Sequence, residues 1–211
     1  ERPHPVLEAT ASAVAERAAR AYRVSERALA RLQPEASAPA LLSVVRLPWW
    51  DPRGVLTGAA RLVLVADGIE YAGNLGTLVR TADACAADAL VLTNATARVT
   101  HPKAFAASRG TVLTTPVLTY PDVASARADL ARVGFTAYVA DPAGATPYRS
   151  AGLGRGPTAV VVGSESEGVD PAWCEGLTRI AIPMRGRADS LNVAVSAAVL
   201  LFEARAALDG L

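Results

Sequence analysis

A chain of 211 residues is long enough for one domain of ordinary size with a small appendage, or for two small domains. Its hydrophobic fraction of 51% and charged fraction of 19% are typical of a globular protein and exclude extensive disorder or a fibrous repeat. Because the net charge is only +1, any binding of nucleic acid must come from a local basic patch rather than from a field over the whole molecule.

The first part of the chain predicts a small module of its own. Two helices and a strand are predicted, at Val6 to Ala21, Ser25 to Leu32 and Leu41 to Leu47. The turn formers from Pro48 to Gly54 predict a junction that continues neither helix nor strand. We therefore expect an N-terminal domain at residues 1–54 and a second domain at residues 55–211.

From Arg61 onward, short β-branched runs alternate with Ala-rich helical stretches, which is typical of an α/β fold with a largely parallel sheet covered on both faces. The predicted strands are Leu62 to Ala66, Ala89 to Thr93, Pro116 to Thr119, Thr136 to Ala140, Ala159 to Gly163 and Arg179 to Ile182. The predicted helices are Leu75 to Ala87, Pro102 to Ser108, Asp122 to Val133, a short one after Asp170, and Leu191 to Leu208. Asp122 after Pro121, and Asp170 before Pro171, predict helix starts.

The cysteines and the apolar runs bear on cellular location. Cys85 and Cys174 lie far apart and lack zinc-ligand spacing, which fits a reducing cytosol and predicts no metal site. The longest apolar run, in the last helix, falls short of the roughly 20 residues that span a bilayer. No charged-then-apolar leader follows Glu1, so we expect no signal peptide, no membrane segment and a cytoplasmic protein.

The first segment that could bind a ligand or take part in a reaction runs from Gly73 to Arg80, after the strand that ends at Asp67. Its glycines permit a tight turn and close approach by a ligand. Asn74 lies near the helix start, and Arg80 follows about one and a half turns later, where a guanidinium could bind a phosphate or steer a nucleophile. By itself the segment is better explained as a capped helix with a surface arginine, and no GxGxxG pattern supports dinucleotide binding.

The second segment, Gly163 to Gly168, is a polar loop directly after a predicted buried strand. Such loops are where α/β sheets usually hold ligands. Glu165 and Glu167 should point in different directions in a flexible loop, so we do not expect a catalytic carboxylate pair. Taken alone, the loop is explained equally well as a polar turn between a strand and a helix.

The third segment, residues 179–194, combines a strand, an arginine-rich loop and a helix start. Ser190 can cap the helix, while Asn192 in its first turn offers a donor and an acceptor to a polar ligand. Exposed backbone amides at this end favour negative charge. Arg185 and Arg187 are either phosphate contacts or solvated surface side chains, and the pattern leaves both readings open.

Taken in this order, the three segments resemble the signature motifs of the SPOUT class, specifically its TrmH/SpoU-type RNA 2′-O-ribose methyltransferases. The resemblance covers about Arg61 to Leu211 and rests on Asn-x-Gly-x-x-x-Arg from Asn74, Gly-x-Glu-x-x-Gly from Gly163 and Ser-Leu-Asn from Ser190. It implies a mostly parallel sheet whose C-terminal segment forms a trefoil knot. It also implies S-adenosyl-L-methionine as the cofactor and RNA as the substrate.

The resemblance assigns roles to individual residues. The catalytic residues that it implies are Arg80, Asn74, Glu165, Ser190 and Asn192. The residues that it implies for cofactor binding, largely through backbone groups, are Gly163, Ser164, Ile182, Met184, Leu191 and Asn192. The arginines expected to bind RNA are Arg80, Arg109, Arg185 and Arg187.

The implied chemistry needs no metal. A ribose hydroxyl is a poor nucleophile and a sulfonium methyl is an activated electrophile, so the enzyme mainly has to align the two and ease proton loss. Arg80 is the residue assigned to this step, either as the base or by stabilising the developing alkoxide and gripping phosphate. The sequence leaves these two roles open.

The resemblance further implies a homodimer with each active site near the seam, and the apolar face of Val193 to Leu208 suits that contact. The first 54 residues resemble part of an L30e-like substrate-binding module. The expected activity is methylation of a ribose 2′-hydroxyl in RNA, with 23S ribosomal RNA preferred, and the sequence leaves open whether the role is housekeeping or antibiotic self-resistance. The alternatives are a transfer RNA 2′-O-ribose methyltransferase and a non-catalytic RNA-binding protein with the same fold.

Overall fold

The computed structural model describes residues 5–32 and 41–211, in two compact units, Glu1–Arg46 and Leu47–Leu211. The division falls at the start of the turn-forming segment that was predicted to join the two domains. In the first unit the described helices are α1 (Pro5–Arg17) and α2 (Glu26–Leu32), so the first helix ends earlier than predicted.

The strand predicted at Leu41 to Leu47 is wrong, because these residues form no regular element. Val44 and Val45 are exposed, and the structure describes no strand beside them. A lone extended segment gains no ladder of backbone hydrogen bonds, so β-branched residues alone do not make it a strand.

The second unit is built on one parallel sheet. Its strands are β1 (Leu62–Asp67), β2 (Ala89–Thr93), β3 (Val117–Thr119), β4 (Thr136–Ala140), β5 (Thr146–Pro147), β6 (Thr158–Val162) and β7 (Thr178–Ala181). Within the described residues the seven strands follow the order β3-β2-β1-β6-β4-β7-β5, and each of their pairings is parallel. The six predicted strands and the α/β class are confirmed. The two-residue edge strand β5 was missed because it is too short for a periodic pattern and contains a proline.

Helices connect the strands. They are α3 (Pro52–Val55), α4 (Ala72–Ala84), α5 (Pro102–Ser108), α6 (Val123–Arg132), α7 (Pro171–Cys174) and α8 (Val193–Asp209). Both predicted aspartate caps are confirmed: Asp122 Oδ1 accepts from the Ser125 N–H at 2.7 Å, and Asp170 Oδ1 accepts from the Ala172 N–H at 2.8 Å. None of the helices in the described part of the chain is long and apolar enough to cross a membrane.

Both faces of the sheet are covered, as predicted. In β1 alternate side chains point to opposite faces, so Leu62 and Leu64 pack with the buried sides of α4 and α8. Val63 and Val65 pack on the other face with α6 and with the fully buried Trp173. The buried strands therefore form a rigid platform, and the loops at their carboxyl ends gather at one edge.

Candidate active site

Three polar side chains from distant parts of the chain meet at this edge. Asn74 lies in the first turn of α4, Glu165 in the loop after β6, and Asn192 at the start of α8. Asn74 Nδ2 donates to Glu165 Oε1 at 2.7 Å, and Asn192 Nδ2 donates to the same oxygen at 3.1 Å and to Asn74 Oδ1 at 3.2 Å. The fold thus brings together one residue from each of the three sequence segments.

The order of the strands explains this meeting. β1 and β6 are direct neighbours in the sheet although many residues separate them along the chain. The loop after β6 therefore lies beside the start of α4, which follows β1. A carboxylate oxygen that accepts two amide N–H groups also has a defined position, because both donors are held by helix starts.

The loop after β6 is closed on itself. Ser164 and Gly168 exchange both backbone hydrogen bonds at 3.0 Å, and Ser164 Oγ accepts from the Glu167 N–H at 3.0 Å. A Cβ atom at Gly163 would overlap the backbone of Gly168, so only glycine permits this close approach. The sequence analysis expected a flexible loop here. That expectation is wrong, since internal hydrogen bonds give the loop a defined shape.

A buried carboxylate that the sequence analysis missed holds the chain just after this loop, at Asp170. Asp67 ends β1 and is 2% exposed. It accepts from Thr93 Oγ1 at 2.7 Å, from Asn94 Nδ2 at 2.9 Å and from the backbone N–H of Asp170 at 2.7 Å. The indole N–H of Trp173 donates to Thr93 Oγ1 at 3.2 Å. A charged residue at the end of an otherwise apolar strand was the available signal, since a buried carboxylate needs such donors.

A cavity of about 190 Å³ opens beside the cluster, between the loops that follow β4, β6 and β7. The predicted cofactor residues that line it are Gly163, Ser164, Ile182, Met184 and Leu191. Ser190 and Glu165, which were predicted as catalytic, line it as well. Asn192 lies outside this lining and contacts the cluster instead.

Two acidic residues that the sequence analysis did not assign also line the cavity, Asp141 and Asp189. Asp141 Oδ2 accepts from Arg179 Nε at 2.7 Å, and this hydrogen bond and charge raise the pKa of the Arg179 guanidinium. Apolar walls from Val162, Ile180 and Ile182 face these carboxylates. The lining therefore combines apolar side chains with two carboxylates, of which Asp141 is already paired with Arg179.

The predicted capping role of Ser190 is wrong. Helix α8 begins at Val193, later than predicted, and its N-cap is Asn192, whose Oδ1 accepts from the Ala194 N–H at 3.0 Å. Ser190 Oγ instead donates to Asp189 Oδ1 at 3.4 Å. Asn192 is the N-cap, and its side chain serves two purposes. Its amide oxygen caps the helix while its NH₂ group donates to the cluster, and the single hydroxyl of Ser190 could not do both.

The predicted RNA-binding arginines are all exposed. They are Arg80 on α4, Arg109 at the end of α5, and Arg185 and Arg187 in the loop before α8. Within the residues that the structure describes, the Arg80 guanidinium has neither a hydrogen bond nor an ion pair. Six residues along a helix amount to about 1.7 turns, so Asn74 and Arg80 leave α4 in directions about 120° apart. The chain alone does not bring Arg80 into the cluster.

Comparison with known proteins identifies a family that this chain matches. Residues 61–202 match the model of the SpoU rRNA methylase family. Over 147 residues the chain is 36% identical to the 23S rRNA (guanosine(2553)-2′-O)-methyltransferase RlmP of Bacillus subtilis (strain 168). The match covers 69% of this chain and 58% of that protein, so the chain spans less than two thirds of this relative.

Solved structures show the same fold. An AdoMet-bound rRNA methyltransferase from Sinorhizobium meliloti superimposes with a TM-score of 0.85 at 24% identity, over 96% of this chain and 77% of that one. The SpoU methyltransferase AviRb from Streptomyces viridochromogenes, in complex with AdoMet, gives a TM-score of 0.64 at 28% identity, over 69% of this chain and 60% of that one.

Proposed function

We propose, because this chain belongs to the SpoU rRNA methylase family, that it transfers a methyl group from S-adenosylmethionine to a ribose 2′-hydroxyl of RNA. The observation that carries the proposal is the hydrogen-bonded cluster of Asn74, Glu165 and Asn192 beside a cavity built from three loops. Polar groups held in this way can orient a hydroxyl for attack, which is the main task of such an enzyme.

The cavity fits the cofactor in its chemistry. Gly163 and Met184, whose backbone groups we assign to the cofactor, and the apolar side chains of Ile182 and Leu191 suit a nucleoside. The Asp189 carboxylate suits a cationic group. Bound there, S-adenosylmethionine would supply an activated methyl group on a sulfonium. The chain's own part is to bind it, to exclude water and to hold the ribose in line.

We assign to Arg80 the stabilisation of the developing alkoxide and the binding of a neighbouring phosphate. An exposed guanidinium with no partner inside the described chain is available for both, and an arginine keeps its charge at neutral pH. Arg109, Arg185 and Arg187 would add further phosphate contacts. Ser190, at the rim of the cavity, would help to position the cofactor or the ribose.

For the substrate we favour 23S ribosomal RNA over transfer RNA. The support is the relative from B. subtilis, whose name states a 23S rRNA guanosine 2′-O-methyltransferase. Residues 1–54 are assigned to substrate binding as part of an L30e-like module, and residues 55–211 to catalysis. A ribosomal substrate would place the protein in the cytoplasm.

The proposal includes a trefoil knot and a homodimer. A knot is consistent with Gly163 to Glu165 and Asp189 to Leu191 lining the same cavity while β6 and β7 are separated by β4 in the sheet. A dimer would bring Arg80 of one subunit, or an RNA phosphate bound to it, towards a cluster that it does not reach within its own chain.

The test is methyl transfer from labelled S-adenosylmethionine to unmodified 23S rRNA and tRNA transcripts, assayed side by side. Arg80→Ala should lower kcat by about a hundredfold or more, as for loss of an oxyanion contact. Its affinity for S-adenosylhomocysteine, measured by calorimetry, should stay close to that of the wild type. Arg61→Ala is the matched control, because Arg61 is an exposed arginine at the opposite edge of the sheet.

The outcomes separate the parts of the proposal. Wild-type protein that labels neither transcript and binds no S-adenosylhomocysteine would overturn the activity. Labelling of tRNA alone would mean that transfer RNA, and not 23S rRNA, is the substrate. Full turnover in Arg80→Ala would show that Arg80 does not have the role assigned to it.

A further inference from the structure

A second cavity, of about 380 Å³, opens at the same edge of the sheet. Its walls come from the loop after β1, with Glu70 and Tyr71, and from the loop after β2, with residues 96–103. In the sheet, β2 and β1 lie on one side of β6, and β4 and β7 lie on the other. The second cavity and the cofactor cavity therefore flank the cluster of Asn74 and Glu165 from opposite sides.

The second cavity is predominantly basic. Arg98, His101 and Lys103 line it, against a single lining carboxylate, Glu70. Within the described residues neither the Arg98 guanidinium nor the Lys103 ammonium has a hydrogen bond or an ion pair, and both side chains are exposed. Lys103 is also the only lysine of the chain. Unpaired cations around a concave surface attract phosphate groups.

His101 adds a further hydrogen-bond donor to this set. Its Nδ1 accepts from the backbone N–H of Lys103 at 3.1 Å. An accepting Nδ1 carries no proton, so the ring proton lies on Nε2, which is then a hydrogen-bond donor. The imidazole can therefore donate to a phosphate or a sugar oxygen.

Tyr71 supplies an exposed aromatic surface beside the cations. Its side chain is 72% exposed, and although Tyr71 is the N-cap residue of α4, its side chain makes no capping hydrogen bond. Aromatic rings next to basic side chains are the usual platform on which single-stranded RNA stacks its bases. Asn74 follows Tyr71 by three residues of the same helix, roughly 5 Å along the axis.

From this arrangement, and resting on the proposed function, we infer that the second cavity holds the nucleotide next to the methylated ribose. A base of single-stranded RNA stacks on Tyr71, while Arg98 and Lys103 bind the flanking phosphates. The strand then passes the cluster of Asn74 and Glu165 with its next ribose towards the cofactor cavity. The site selects unpaired RNA, because a base within a duplex cannot reach the ring.

The experiment measures fluorescence anisotropy of a fluorescein-labelled single-stranded oligoribonucleotide of about 12 nucleotides, at several salt concentrations. In the variant with Arg98→Gln and Lys103→Gln, the salt dependence of log K should fall by about 0.7 for each lost phosphate contact. Tyr71→Ala should weaken binding about tenfold, and Tyr71→Phe should bind as the wild type does, because stacking needs the ring and not the hydroxyl.

Arg61→Gln is the charge-matched control and should leave both affinity and salt slope unchanged. All variants should keep their affinity for S-adenosylhomocysteine, while KM for the RNA transcript rises in those that weaken oligonucleotide binding. Binding of an equivalent RNA duplex should depend little on Tyr71.

Wild-type protein that does not bind the oligonucleotide, or variants at Tyr71, Arg98 and Lys103 that all bind it as the wild type does, would overturn the inference. Failure of the proposed function looks different: RNA would bind through this cavity, with the losses stated above, yet no methyl group would be transferred.

Discussion

Asn192 links the stability of the fold to the geometry of the site. Its Oδ1 caps α8 by accepting from the Ala194 N–H, and its Nδ2 donates to Glu165 and Asn74. One amide group therefore serves as helix cap and cluster member at once. Because Glu165 and Asn192 are exposed, the hydrogen bonds of the cluster contribute more to orientation than to the free energy of unfolding.

The two roles of Asn192 can be separated by substitution. Asn192→Ser keeps a capping oxygen but loses the amide donors, so its free energy of unfolding should match that of the wild type while kcat falls about a hundredfold through misalignment. Asn192→Ala should lose the same activity and, in addition, about 1 kcal/mol of stability. Urea denaturation and steady-state kinetics measure both effects. Wild-type turnover in Asn192→Ser would show that the amide does not position the reacting groups.

At the scale of elements, strands and helices are joined by a few polar contacts as well as by apolar packing. Arg205 of α8 donates from Nε to the Cys85 carbonyl at 2.9 Å and from Nη2 to the Ala86 carbonyl at 2.6 Å, which ties α8 to the end of α4. Tyr120, directly after β3, donates from its buried hydroxyl to Asp129 Oδ2 of α6 at 2.9 Å. Burial first, and the Asp129 carboxylate second, raise the pKa of Tyr120.

The raised pKa of Tyr120 predicts a loss of stability at high pH. The unfolded chain loses this proton near pH 10, whereas the folded chain keeps it, so rising pH favours the unfolded state. This residue should contribute a fall of about 1.4 kcal/mol per pH unit above roughly pH 10. Tyr120→Phe should flatten the curve. Asp129→Asn, which removes only the charge, should keep the slope but end the fall at a lower pH, because the folded pKa of Tyr120 is then raised less. Identical slopes for Tyr120→Phe and the wild type in urea titrations would contradict the prediction.

For the whole molecule, the parallel sheet places the polar cluster and both cavities at one edge and leaves an apolar surface on α8. One side of α8 is buried against the sheet, and the other carries the exposed Val195 and Phe202 with the partly exposed Val199 between them. These positions follow helical spacing, so they form a second apolar stripe. Such a stripe is consistent with the proposed homodimer, because an exposed apolar surface favours association.

The dimer can be tested on this stripe. Phe202→Glu should convert the protein to a monomer, measured by sedimentation equilibrium at micromolar concentration, because a buried unpaired carboxylate opposes association. If each active site needs its partner, methyl transfer should be lost together with the dimer. Phe105→Glu, which alters an exposed phenylalanine on α5, should leave the assembly unchanged. A monomeric wild type would exclude this interface.

The sequence by itself determined the class of fold and the boundaries of most elements. β-branched runs such as Ala89–Thr93 and the caps at Asp122 and Asp170 report their structure through periodicity and nearest-neighbour hydrogen bonds, and those forces are local. The same locality explains the errors. Residues 41–47 look like a strand but lack a partner strand. The start of α8 was placed too early because Ser190, two residues before the actual cap Asn192, is also a residue type that caps helices.

Only the tertiary structure decided which distant groups meet. Asn74 and Glu165 are in contact because β6 lies beside β1, and no periodicity along the chain encodes that order. The buried network of Asp67 and the basic cavity of Arg98 and Lys103 arise in the same way, from loops that adjacent strands deliver to one edge. Strand order depends on packing between elements far apart along the chain, so local patterns cannot specify it.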